Sequence, residues 1–211
     1  MEKLTIDAFK NMMSLAQTNI TTRSEEFSKL DAVAGDGDHG TAIVAALNAI
    51  IKAGDKGVEF SEMLGDMAFG AMEESCGSTS TLMGAFFMGM GNVAKGTELD
   101  TKEVKEMFRS GLTVLQMQTN AKVGDKTMMD ALIPAVEAIE SSEGDVVEIL
   151  NKGAEAALEG AKKTIDMKAN FGRARNLGER SVGSADPGAT SWACMFESFS
   201  KAIGNTHKIK N

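Results

Sequence analysis

Three aspartates stand close together near the N-terminus, in the segment LDAVAGDGDHGT. Asp31, Asp36 and Asp38 lie within eight residues, and the glycines between them let the backbone fold tightly. Carboxylates this close repel one another unless a cation sits among them, and Mg²⁺ takes such oxygen ligands together with nucleotide phosphates. The segment therefore predicts a magnesium–phosphate site, with a solvated Gly/Asp turn as the alternative. An EF-hand fits less well, because no glutamate closes the loop.

A histidine and a hydroxyl-rich loop are the next candidates for binding an anion. His39 follows the aspartates directly, where it could bond a phosphate, order the loop or cap a helix. The segment CGSTST runs straight into an apolar stretch, so the N–H groups after Gly77 would stand at a helix N-terminus. That arrangement favours a phosphate near Ser78 and Thr79, and ordinary N-capping by one hydroxyl is the alternative.

Two further loops combine glycine with charged residues. KVGDKTMMD is similar to the end of a P-loop, but the upstream glycine and the preceding strand are missing, so a P-loop is rejected. Its Lys126 is either an anion ligand or a solvated lysine. In NLGERSVGSADPGATS, Arg180 lies between glycines and suits bidentate contact with a phosphate. The run Asp186-Pro187-Gly188 is also explained as a simple helix entry.

Helical periodicity accounts for most of the remaining chain. Apolar residues recur with helical spacing in eight stretches, and no segment shows the alternation of a strand. The stretches run from Ile6 to Ile20, Ile43 to Ile50, Met63 to Ala71, Leu82 to Val93, Val104 to Leu115, Met128 to Ile139, Val146 to Ile165 and Ala189 to Ile203. This predicts an all-α, eight-helix up-and-down bundle or barrel. Loops after helices one, three, five and seven would then share one end, and the four candidate loops occupy those places.

Composition limits the class of protein. The chain has 211 residues, 43% of them hydrophobic, and a formal net charge of −8. We expect a single domain spanning residues 1–211, and the acidic charge argues against nucleic acid as a partner. No apolar run reaches the roughly 18 residues of a membrane span, and no signal peptide is visible. Together with Cys76 and Cys194 as free thiols, this predicts a cytoplasmic protein with no membrane partner.

The candidate loops together resemble those of one family, the L domain of dihydroxyacetone kinases. The matching strings are LDAVAGDGDHGT, GDKTMMDALIP and LGERSVGSADPGATS, which occur in the family's order and spacing. The resemblance implies an eight-helix antiparallel barrel with ADP or ATP at one end and two Mg²⁺ ions held by Asp31, Asp36 and Asp38. It also implies a set of residues that line the nucleotide pocket: His39, Gly40, Thr41, Gly77, Ser78, Thr79, Thr119, Met128, Arg180, Asp186, Pro187 and Gly188.

The resemblance assigns some of these residues a more specific place. Met128 would pack near the adenine, Thr119 stands where the family has a glycine, and Arg180 is the candidate stabiliser of transition-state charge. The second loop departs from the family, which usually has Gly-Gly-x-Ser-Gly-Pro-Leu, because Ser80 and Thr81 replace glycine and proline here. That change lowers backbone freedom and points to a paralogue that serves another small ketose.

The resemblance also implies an activity and partners. The chain looks like the form in which the L domain is a separate subunit and the nucleotide stays bound as a coenzyme. A phosphotransferase-system subunit would phosphorylate the ADP, and a substrate-binding kinase subunit would present dihydroxyacetone or a related ketose. A transcription regulator is a further candidate partner, and a homodimer stays open. The alternatives are a stand-alone Mg-dependent phosphatase or nucleotide hydrolase, a nucleotide-sensing regulatory module, and a structural helical protein.

Overall fold

The computed structural model describes residues 3–74 and 77–209, and helices dominate this part of the chain. Its α-helices are α1 (Ile6–Thr22), α2 (Ser24–Asp31), α3 (His39–Gly54), α4 (Phe60–Glu74), α5 (Ser78–Val93), α6 (Thr101–Gln116), α7 (Met129–Ser141), α8 (Val146–Lys163) and α9 (Pro187–Ile209). Two 3₁₀ helices, Thr164–Asp166 and Arg173–Ser181, lie between α8 and α9. The predicted all-α class is confirmed, and each predicted apolar stretch corresponds to one long helix. Cys76 lies outside the described residues.

Several short elements were not expected from the sequence. The short helix α2 buries only Phe27, so it has no apolar stripe that periodicity could detect. The strands β1 (Lys3–Thr5) and β2 (Glu98–Asp100) pair antiparallel, with Leu4 opposite Leu99. The expectation of no strand was therefore wrong in this detail. Three residues are too few to display alternation, and the pairing joins distant parts of the chain.

The long helices form a closed ring. Each packs against the next in sequence, from α3 through α9, while α1 packs against both α3 and α9. Consecutive helices joined by short connections run antiparallel, so alternate helices begin at the same end. The helices α3, α5, α7 and α9 begin at one end, and the four candidate loops precede them. The short helix α2 lies outside the ring, against α3 and α9.

Aromatic contacts and local capping hold the ring together. The Phe86 ring meets Trp192 edge to face at 5.2 Å between centroids, and Phe108 packs against Phe86 and Phe196. Such pairs add about 0.5–1.5 kcal/mol each beyond their buried area. At the end of the barrel opposite the candidate loops, α6 and α8 begin at aspartates that form capping boxes with a glutamate three residues on. The core and these caps thus fix where the helices begin.

Within the described residues, no helix combines the length with the apolar character that a membrane span requires. The cytoplasmic location stays a prediction.

Candidate functional site

Four helix N-termini meet around two adjoining cavities at one end of the barrel. Residues at the starts of α3, α5, α7 and α9 line cavities of about 300 Å³ and about 270 Å³. The N-terminus of a helix carries positive potential and unpaired N–H groups, so this end of the barrel suits an anion. Both cavities are lined by the same group of residues, which shows that they adjoin: His39, Ser78, Thr79, Thr127, Phe171, Gly172 and Asp186.

The first cavity carries the predicted acidic cluster at its edge. One carboxylate oxygen from each of Asp31, Asp36 and Asp38 lies within 4.8 Å of the others. The Oδ2 atom of Asp31 accepts from the backbone N–H of Gly37 at 2.9 Å and of Asp38 at 3.1 Å, which folds the loop back onto the end of α2. At Gly35 a Cβ atom would collide with the Asp31 carboxylate. The loop thus brings three carboxylate groups together, and oxygen atoms of this kind are the ligands that Mg²⁺ prefers.

His39 is held in orientation by a hydrogen bond to the last helix. Its Nε2 lies 2.9 Å from the hydroxyl oxygen of Ser191, whose own proton is donated to the Gly188 carbonyl at 3.0 Å. A hydroxyl has one proton, so this network assigns the ring proton to Nε2. Burial lowers the pKa of His39, although the nearby Asp31 carboxylate acts in the opposite direction. The ring therefore ties α3 to α9.

The N-cap residue of the helix that follows the second loop is a glycine. This residue, Gly77, is extended and has no side chain of its own that could cap α5. The hydroxyls of Ser80 and Thr81 donate to the Gly77 carbonyl at 3.1 and 3.0 Å. Ser78 and Thr79 line both cavities. The phosphate interpretation of the loop is consistent with this geometry and stays a prediction.

The second cavity is largely apolar. Leu82, Met128, Met129 and Trp192 contribute its walls. Thr119 also lines it, and its hydroxyl oxygen accepts from the Ala121 N–H at 3.1 Å. Apolar cavities with a few polar groups suit the rings of small ligands. The apolar cavity would suit the base of a nucleotide, and the adjoining polar cavity with the acidic cluster at its edge would suit its phosphates and their metal.

Asp186 caps the last helix from the cavity wall. Its carboxylate accepts from the Ala189 N–H at 2.7 Å, and Pro187 occupies the first helical position. Burial raises the pKa of Asp186 to about 7, with the Asp130 and Asp31 carboxylates adding to the rise and the Lys126 ammonium and the Ala189 bond opposing it. The simple helix-entry role is therefore present, and the same carboxyl also faces the cavity.

Asp186 should make the free energy of unfolding of the metal-free protein depend on pH. Its folded pKa of about 7 exceeds the ordinary 3.8, so the folded state holds an extra proton between these values. That stability is fully present below the ordinary pKa and is lost as the pH rises through the folded one, amounting to at most about 4 kcal/mol. We expect Asp186→Asn to match the parent in urea denaturation at about pH 4 and to exceed it at about pH 8. A parent protein more stable than the variant at the higher pH would contradict this.

The structure brings most of the predicted residues to the cavities. Those that line them are Asp31, Asp38, His39, Gly77, Ser78, Thr79, Thr119, Met128, Asp186, Pro187 and Gly188. Asp36 joins the acidic cluster without lining either cavity. Gly40 is buried against α2, where a Cβ would collide with the Ser24 carbonyl, and Thr41 is exposed. Arg180 is exposed and lines neither cavity, so its role in catalysis stays a prediction.

Phe171 and Lys126 are two of the site residues that were missed or misassigned; Thr127 and Gly172 also line both cavities and were not predicted. Phe171 lines both cavities from the segment before α9, and an aromatic residue followed by glycine in a polar loop was the available signal. Lys126 is only 5% exposed, which contradicts the solvated lysine of the sequence interpretation. It donates to three backbone carbonyls, so its alternative role as an anion ligand is not what the geometry supports either.

Comparison with known proteins places this chain in a family. Residues 33–201 match the DAK2 domain, and the chain belongs to that family. It is 31% identical to the "PEP-dependent dihydroxyacetone kinase 2, ADP-binding subunit DhaL" of Listeria innocua, covering 96% of this chain and 100% of that subunit. The predicted resemblance and the predicted class, a kinase subunit, are thereby confirmed.

Larger enzymes share the domain. The chain is 34% identical to the L-erythrulose 1-kinase of Mycolicibacterium smegmatis over 85% of its own length but only 32% of that enzyme. The crystal structure of the dihydroxyacetone kinase from C. freundii, in complex with AMP-PNP and Mg²⁺, superposes with a TM-score of 0.68 at 23% identity. That match covers 92% of this chain and 33% of the enzyme, and it supports the fold.

Proposed function

We propose that this chain is the ADP/ATP-binding subunit of a dihydroxyacetone-type kinase, and that residues 1–211 form one L domain. The observation that carries the proposal is the meeting of an acidic cluster with the N-termini of four helices around two adjoining cavities. A nucleotide needs positive potential for its phosphates and an apolar surface for its base, and the adjoining cavities offer both. The name of the L. innocua relative, an ADP-binding subunit, supports the same ligand.

Magnesium fits the acidic loop. Asp31, Asp36 and Asp38 would hold the ion, and we propose two ions for the complete site. When bound, Mg²⁺ offsets the charge of the phosphate oxygens during phosphoryl transfer. The carboxylates of the loop would hold the metal, and the N–H groups at the start of α5 would bind the phosphates, which helps to fix their position. The C. freundii enzyme, which shares the fold, was solved with AMP-PNP and Mg²⁺.

The phosphoryl group is proposed to pass between two partner proteins through the bound nucleotide. A phosphotransferase-system subunit would supply it, and a substrate-binding kinase subunit would accept it onto dihydroxyacetone or a related ketose. The names of the relatives support this reading, because they include a PEP-dependent kinase subunit and a kinase of L-erythrulose. The two cavities accommodate the nucleotide, and the ketose is therefore assigned to the partner.

We expect the isolated chain to bind ADP in the presence of Mg²⁺ and to form no dihydroxyacetone phosphate from ATP and dihydroxyacetone. The ketose acceptor would be held by another subunit, so ATP should persist in the mixture. Native mass spectrometry detects the bound nucleotide, and phosphorus NMR follows both products. Multiple turnover by the chain alone would overturn the subunit proposal. Release of free phosphate without a ketose would instead favour a nucleotide hydrolase.

A further inference from the structure

The backbone at Lys126 turns its side chain into the protein. Its φ angle of 59° lies in the left-handed region, which is uncommon for a residue with a side chain. The buried Asp130 holds the loop in this form, because its two oxygens accept from the N–H groups of Gly124 at 2.6 Å and Thr127 at 2.8 Å. A strained backbone that is held this firmly indicates a specific task for the side chain.

The ammonium of Lys126 uses its full set of donors on the protein. It donates to the carbonyl oxygens of Thr164 at 2.7 Å, Met167 at 3.1 Å and Ser184 at 2.6 Å. An ammonium has three N–H donors, so none is left for a phosphate in this arrangement. Although Lys126 also lines the polar cavity, it acts on the segment between α8 and α9.

Further bonds extend this attachment to the cavity wall. The Thr164 hydroxyl oxygen accepts from the Asp186 N–H at 2.9 Å, so the residue whose carbonyl binds Lys126 also holds Asp186. Gly183 donates to the Ile165 carbonyl at 2.8 Å. The backbone of residues 164–186 is thus tied at both ends to positions that Lys126 holds.

Charge favours the same arrangement. Burial lowers the pKa of Lys126, while the carboxylates of Asp186, Asp166 and Asp130 act to keep it protonated. The cation in turn offsets part of the negative charge of Asp186 at the cavity. A neutral side chain at position 126 would remove one donor from each of three carbonyls, of which that of Thr164 would keep the Met167 N–H at 3.2 Å. It would also leave three carboxylates without their shared cation.

We propose that Lys126 is a positioning residue of this site: its buried ammonium fixes the segment of residues 164–186 and thereby places Asp186 and Pro187 at the cavity wall. It contacts no phosphate itself. Its effect on ligand binding rests on the proposed function, whereas its effect on the segment does not.

The test compares Lys126→Met with Lys122→Met, because Lys122 is an exposed lysine in the same loop. Hydrogen exchange of the ligand-free proteins reports on peptides from residues 164–186 and from α5 and α6. Calorimetry gives the affinity for ADP with and without Mg²⁺. In Lys126→Met we expect faster exchange confined to residues 164–186 and Mg–ADP affinity weaker by about 10- to 100-fold. The gain in ADP affinity on adding Mg²⁺ should shrink, a change that loss of general stability would not produce.

Each other outcome has a definite meaning. Weaker ADP binding with unchanged exchange would make Lys126 a phosphate ligand and overturn the proposal, as would behaviour equal to that of Lys122→Met. If Lys126→Met does not fold, Thr164→Val tests the same link, because it removes the acceptor for the Asp186 N–H. Unchanged exchange in that variant would also overturn the proposal. If the parent protein binds no Mg–ADP, the proposed function fails, yet the exchange comparison still decides the positioning role.

Discussion

Asp38→Asn should weaken the binding of ADP with Mg²⁺ at least about a hundredfold, which corresponds to about 2.7 kcal/mol. The variant keeps the size of the side chain but replaces a charged ligand oxygen of the three-carboxylate cluster with a neutral amide. Asp36→Asn should act in the same direction. Isothermal titration calorimetry with ADP, with and without Mg²⁺, measures the loss, and it should be confined to the titrations that contain the metal.

The fold should survive these changes. Removing one of three neighbouring negative charges relieves repulsion in the metal-free protein, so its melting temperature should stay the same or rise. Asp66→Asn is the matched control, because Asp66 is an exposed aspartate on α4 outside the cluster. Unchanged Mg–ADP affinity in both Asp36→Asn and Asp38→Asn would remove the metal-site interpretation.

Gly160→Ala should reduce the free energy of unfolding by about 2 to 3 kcal/mol. Gly160 lies in α8 where it crosses α7, and a Cβ atom there would collide with the backbone carbonyl of Asp130. A backbone atom cannot move aside as a flexible side chain can, so the two helices would have to separate. Because Asp130 also holds the loop of Lys126, the variant should weaken ligand binding as well.

Gly65→Ala provides the control for the change of residue type. Gly65 lies in α4, and a Cβ atom there would meet nothing within 4 Å. Alanine favours a helix over glycine by up to about 1 kcal/mol, so this variant should be equal to the parent or more stable. Urea denaturation of both variants decides the matter. A Gly160→Ala protein as stable as Gly65→Ala would show that α7 and α8 are not in such close contact.

Local sequence patterns were enough to predict the long helices and the acidic cluster of this protein. Apolar residues at helical spacing located the eight long helices, because that spacing alone creates a face that must be buried. The closeness of Asp31, Asp36 and Asp38 indicated a cation, because their mutual repulsion depends only on short sequence distance. Two predicted helices separate each candidate loop from the next, and an antiparallel pair of helices returns the chain to the end where it started. The four loops were therefore predicted to lie at one end, and the cavities, which residues from all four loops line, confirm this.

Long-range contacts decided the rest. Whether Lys126 is solvated, binds an anion or is buried depends on carbonyls about 40 to 60 residues further along the chain, which no local pattern contains. The same applies to Phe171, which reaches the cavities only because its segment folds back over the site. It also applies to Gly160, where a Cβ atom has no room because the backbone of the neighbouring helix α7 lies too close.

The sequence by itself thus predicted candidate residues for binding a metal and a phosphate, and it placed their loops at one end of the helical bundle. Periodicity and charge repulsion act over a few residues, so they can be read directly from the chain. Only the tertiary structure decided which side chains line the cavities and which hold others in place. Those roles follow from distances and hydrogen bonds between segments that are far apart in sequence and meet only when the ring of helices closes.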